Sequence, residues 1–132
     1  MATLGYRTII GRGVVASHIK NAIQAMLPKM LASCREAVGI PSLGPSDFDW
    51  ALHPGSPVII DRIKEMIGLD DHHVRVTNET YRSKGNSGSV SVLAVLSQML
   101  SNGTWRDHII SAAYGPGINV EMVILKRCPR RE

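Results

Sequence analysis

At 132 residues the chain is one domain's worth of protein, and with 44% hydrophobic and 20% charged residues it reads as globular rather than disordered or fibrous. No apolar run approaches the roughly 20 residues of a membrane span, and the first ten residues lack the pattern of a secretory signal. Two cysteines are too few for a disulfide scaffold, so a reducing, cytoplasmic setting is expected. The formal charge of +4 does not by itself point to nucleic acid: aromatics are only 5%, and Arg127, Arg130 and Arg131 crowd the last six residues.

In chain order, Leu4 to Val15 is rich in β-branched residues, with Gly11 and Gly13 interrupting, and reads as one strand or two short ones. Ala16 to Val38 carries apolar residues at spacings of three and four, the mark of a helix, with Pro28 expected to kink it or to start a second one. Gly39 to Asp47 is a loop, and Phe48 to Leu52 a short strand. Ser56-Pro57 supplies an N-cap and first-turn proline for a helix to about Ile67, which Gly68 stops.

Asp70 to Lys84 is polar and mixed, with no element assigned. Ser87 to Leu100 reads as a helix with almost no charged face, hence a buried one. Ile109 to Tyr114 and Ile118 to Leu125 read as two strands joined through Gly115-Pro116-Gly117. Strands alternating with helices and ending in a hairpin make an α/β layer arrangement.

Several groupings invite chemistry, and each has a simpler reading. His53-Pro54-Gly55 stands at a strand-to-helix junction, where side chains face ligands in open α/β sheets. A histidine there exchanges protons or donates hydrogen bonds, or it is only a loop residue satisfied by backbone. Asn86, after Gly85, either caps the following helix or offers its side-chain NH2 to a carbonyl or developing oxyanion. Ser87, Gly88 and Ser89 leave room for close approach. Tyr114-Gly115-Pro116-Gly117 is, on spacing alone, a turn.

Asp70-Asp71-His72-His73 reads as a solvated turn rather than a metal site, since four adjacent residues cannot all face one ion. The GxxG from Gly85 to Gly88 is a weak echo of a nucleic-acid clamp. Cys34 lies toward the far end of a helix, away from the helix N-terminus or cationic pocket a reactive thiolate prefers, and reads as core.

Taken together, these motifs resemble one family. Trp50-Ala51-Leu52-His53-Pro54-Gly55-Ser56-Pro57, then Gly85-Asn86-Ser87-Gly88, then Ala113-Tyr114-Gly115-Pro116-Gly117 are similar to the histidine strand, Gly-Asn motif and Gly-Phe-Gly-Pro-Gly loop of type III polyketide synthases, the chalcone and stilbene synthase family. The resemblance runs from about Tyr6 to Pro129 and looks nearest to fungal or bacterial resorcinol- and pyrone-forming members. It implies that residues 1–132 form the C-terminal half of a thiolase-like fold, an α/β architecture with a mixed sheet and a buried helix.

The resemblance further implies catalytic roles for His53 and Asn86. Pro54, Gly55, Gly88, Tyr114, Gly115, Pro116 and Gly117 would line the substrate pocket, with no metal. It implies malonyl-CoA and an acyl-CoA starter as substrates without a cofactor, condensation and cyclisation as the reaction, and a homodimer when full length. Nucleic acid is not among the expected partners.

Three departures stand out. The family's nucleophilic cysteine belongs to the N-terminal half, and Cys34 does not match it, so this chain is expected to be inactive alone. Gly88 stands where serine is frequent and Tyr114 where phenylalanine is, and the segment from Pro28 to Ser46 is longer than the resemblance leads one to expect. The alternatives are another thiolase-fold 3-oxoacyl synthase, a non-catalytic truncated product, and a GxxG nucleic-acid module. Without the other half, the Ser87 to Leu100 helix would lie exposed and drive aggregation.

Overall fold

A computed structural model describes residues 2–7, 16–102, 106–115 and 119–126. Their elements are β1 (Ala2–Arg7), α1 (Ala16–Ala37), β2 (Asp49–Leu52), α2 (Pro57–Ile67), α3 (Asp71–Lys84), α4 (Ser91–Asn102), β3 (His108–Gly115) and β4 (Asn119–Lys126), with single 3-10 turns at Pro45–Asp47 and Gly88–Val90. Among the described residues the strands form one four-stranded mixed sheet in the order β1-β4-β3-β2. The expected hairpin is present, β3 and β4 pairing antiparallel from His108↔Lys126 to Gly115↔Asn119. β2 runs parallel to β3, with Leu52 opposite Ala112.

The two faces of the sheet are filled unequally, as the period-two alternation of strands requires. Trp50, Leu52, Ile110, Ala112, Val120, Met122 and Ile124 pack with Leu27, Met30, Leu31 and Cys34 of α1 and with Ile60 and Ile63 of α2. On the opposite face Ala51 and Ile109 meet Val76 of α3 with Val95 and Met99 of α4, flanked by the partly buried Leu96 and Leu125. One face is a full core; the other is a narrow seam.

The structure corrects three expectations. Pro28 neither ends α1 nor begins another helix: it sits on the exposed side, while Leu27 and Met30 beside it are buried and hold one continuous helix. The strand expected from Leu4 is met over Leu4–Arg7 and begins earlier, at Ala2, whereas residues 8–15 lie outside the described ones.

Second, the polar stretch after Asp70 is a helix. Asp70 caps it by accepting the His73 N–H at 3.1 Å. His73 is buried and bonds the Ser46 carbonyl at 3.1 Å through its other ring nitrogen. The inward face of α3 is half made of polar residues satisfied internally: Thr80 donates to the Val76 carbonyl at 2.8 Å, and Thr77 Oγ1 accepts the Leu52 N–H at 3.3 Å.

That last bond completes β2, the edge strand of the described sheet, whose outward N–H groups meet no other strand among the described residues. Thr77→Val is isosteric but leaves the buried Leu52 N–H without an acceptor. It should cost about 1–3 kcal/mol, read as a lower urea midpoint with unchanged slope.

Third, α4 is not buried on all sides as its apolar pattern alone implied, in line with the exposure expected of this helix without the other half. Ser91, Val95 and Met99 face inward, while Val90, Leu93 and Leu100 are 57%, 62% and 60% exposed. Among the described residues nothing lies on that outer side. No described helix is long and apolar enough to cross a membrane.

Candidate active site

His53 follows the last residue of β2. Its backbone N–H donates to the Ala112 carbonyl at 2.9 Å, extending the ladder with β3 by one bond. The chain then turns sharply: the His53 carbonyl accepts the Gly55 N–H at 2.9 Å, and Ser56 Oγ accepts from Ile59 N at 3.3 Å, capping α2 as Ser56-Pro57 implies. Pro54 is buried within this turn and Gly55 half-buried.

Only 9% of His53 remains exposed. Burial lowers its pKa from the ordinary 6.5, because desolvation penalises the imidazolium. The imidazole is therefore neutral at neutral pH and carries one N–H to donate.

Tyr114, on β3, closes the turn from the side. Its ring meets the imidazole edge-on, with centroids 5.4 Å apart and planes at 88°, and its hydroxyl donates to the His53 carbonyl at 2.5 Å. Burial pushes this phenol well above the ordinary tyrosine range, so it stays protonated.

Asn86 arrives from the other direction. Gly85 ends α3 with φ 65° and ψ −163°, a region open essentially to glycine alone, and its N–H bonds the Tyr81 carbonyl at 2.8 Å. The chain thereby swings Asn86 toward the histidine turn. Asn86 Oδ1 accepts the Gly88 N–H at 3.0 Å, and Nδ2 donates to the Gly55 carbonyl at 3.3 Å.

Asn86 is not the N-cap of the Gly88–Val90 turn, where Ser87 stands, and its side chain bonds backbone on both sides. The oxygen serves the local turn, where Gly88 adopts φ +75°, while the NH2 reaches a segment 31 residues away and keeps a second N–H. Gly85→Ala should destabilise the chain by about 1–3 kcal/mol in thermal or chemical melts, since alanine resists this backbone conformation.

The other sequence candidates separate clearly. Gly115 ends β3 opposite Asn119, and Pro116 and Gly117 lie outside the described residues. Cys34 is core: it packs between α1 and the sheet, and burial raises its thiol pKa, the reverse of nucleophile activation. Asp70 to His73, expected as a solvated turn, is the capped start of α3. Among the described residues no three His, Cys, Asp or Glu side chains group as metal ligands would.

Sequence patterns gave no sign of the Tyr114 hydroxyl bond or of Thr77. The tyrosine in place of the family's usual phenylalanine was the available signal for the former.

The model of the C-terminal domain of chalcone and stilbene synthases matches residues 8–129. The chain belongs to this family. It is 42% identical to a type III polyketide synthase of Penicillium soppii (pspB) over 134 aligned residues, covering 94% of this chain and 33% of that protein.

Among solved structures, a fungal type III polyketide synthase (ORAS) superposes with a TM-score of 0.80 at 28% identity, covering 96% of this chain and 41% of its own. A type III pentaketide synthase from Neurospora crassa superposes at 0.77 with 31% identity, over 87% and 34%. The α/β fold with its small mixed sheet is thus that of the C-terminal part of type III polyketide synthases. The chain spans about a third of the length of the curated relative.

Proposed function

We propose that this domain supplies the carbonyl-holding half of a type III polyketide synthase active site. In that reading His53 and Asn86 donate hydrogen bonds to the thioester oxygen of malonyl-CoA. Loss of the carboxylate as CO2 leaves its bonding electrons on the α-carbon, delocalised onto that oxygen as an enolate. The enolate carbon then attacks an acyl thioester held on a cysteine from the other part of the enzyme, and the cysteine leaves as a thiolate.

One observation carries the reading: Asn86 Nδ2 bonds the carbonyl of Gly55, so the two motifs meet at one turn although 31 residues separate them. A neutral, buried imidazole and the exposed amide N–H of Asn86 are donors suited to a developing oxyanion, and burial strengthens the bond from the imidazole. The thiolate would in turn favour the imidazolium and raise the His53 pKa again. The cysteine-bearing part is the proposed partner, in a longer chain that acts as a homodimer on acyl-CoA and malonyl-CoA.

The test is substrate choice. The full-length enzyme, given free malonyl-CoA and a fatty acyl-CoA, should release CO2 and form a cyclised polyketide. Turnover only with malonyl groups on an acyl carrier protein would move the chain toward the fatty-acid condensing enzymes. No turnover with either would favour a non-catalytic role.

A further inference from the structure

We propose that Tyr114 is a positioning residue for His53, its hydroxyl and ring together fixing the histidine from β3. The inference rests on the reading of His53 as a donor to the substrate, and it starts from how little else holds that residue. β2 is only four residues long and lies at the edge of the sheet, so past Leu52 its ladder has one further bond, His53 N to the Ala112 carbonyl.

Beyond that point the turn is held by its own Gly55 N–H on the His53 carbonyl and, from other elements, by Asn86 on the Gly55 carbonyl and Tyr114 on the His53 carbonyl. The tyrosine makes three contacts at once. The hydroxyl bonds the His53 backbone, and the ring edge meets the imidazole at a centroid distance of 5.4 Å. The same ring lies over the bare α-carbon of Gly55, where an added Cβ would stand 3.4 Å from Tyr114 Cε2.

A phenylalanine in this place keeps the ring contacts and loses only the tie to the backbone. Burial keeps the phenol protonated, so the tie persists across the working pH range. With its proton engaged on the backbone, the hydroxyl is not available as a donor to substrate.

Histidine NMR on the 132-residue chain, kept monomeric by Leu93→Lys and Leu100→Lys on the exposed side of α4, tests this without needing activity, the His53 signal being identified by its loss in His53→Gln. The wild-type imidazole should titrate below 6.5. In Tyr114→Phe the turn loosens, water reaches the ring, and the midpoint should rise by about half a unit or more. Tyr81→Phe, a tyrosine at the margin of the same core, should leave it unmoved.

In the full-length enzyme Tyr114→Phe should lower kcat for malonyl-CoA decarboxylation about fivefold, the worth of one ordinary hydrogen bond, with KM held. An unmoved midpoint overturns the proposal, as does a lower Tm with kcat intact. A raised KM at unchanged kcat would put the hydroxyl on the substrate and also overturn it. Normal CO2 release from His53→Gln would remove the catalytic reading while leaving the NMR result to judge the tie.

Discussion

His53→Gln and Asn86→Ala in the full-length enzyme should each lower malonyl-CoA decarboxylation by about 10²–10³-fold, as loss of one donor from an oxyanion site does. The expectation follows from where charge develops. The malonyl thioester oxygen gains negative charge as CO2 leaves, and donors fixed beforehand need no reorganisation at that moment. His53 is fixed by its strand, the short turn and Tyr114, and Asn86 by the Gly85 backbone and its own bond to Gly88.

The double variant should lose less than the product of the two single losses, because in the proposed reading both donors address one oxygen. The effect should fall on kcat rather than KM, since the stabilised charge is absent from the ground state. Carbon dioxide release from labelled malonyl-CoA measures this directly. Wild-type rates in either variant would remove the assigned roles.

The second large effect concerns the outer side of α4. Val90, Leu93 and Leu100 are each more than half exposed, and Val58 at the start of α2 is 69% exposed. Leu93 and Leu100 stand two turns apart on one side of α4, and exposed apolar side chains of this size favour association. The 132-residue chain expressed alone should therefore sediment as oligomers at micromolar concentration.

Leu93→Lys combined with Leu100→Lys should restore a monomer while changing folding stability by no more than about 0.5 kcal/mol per site, because neither leucine is in the core. In the proposed longer enzyme the same two changes should do the opposite, weakening the fit between the two halves and lowering activity. A wild-type chain that sediments as a compact monomer would contradict this account of the α4 face.

Much of this architecture was legible in the sequence because it obeys simple periodicities. α1 shows its core face as Leu27, Met30, Leu31 and Cys34, and the final hairpin announces itself through β-branched runs around glycines. α3 escaped because three of its five buried positions are His73, Thr77 and Thr80, whose polar atoms are satisfied by hydrogen bonds that only the folded chain supplies. Hydrophobic pattern alone cannot register a face built that way.

For α4 the pattern misled in the other direction. An apolar helix reads as buried, yet burial depends on what lies against it, and the described residues provide only one side. At the site, His53 and Asn86 each had a simpler local explanation. Their convergence on one turn depends on the Gly85 conformation and on the parallel register of β2 with β3, which no local motif encodes.

The most direct test is a crystal structure of the full-length enzyme with a non-hydrolysable malonyl-CoA analogue that retains the thioester-like carbonyl. The account predicts its oxygen at about 2.7–3.1 Å from both the His53 ring N–H nitrogen and Asn86 Nδ2. Asn86 would still accept from Gly88 through Oδ1. An oxygen held by other donors, with Asn86 serving only the Gly55 and Gly88 backbone, would contradict it.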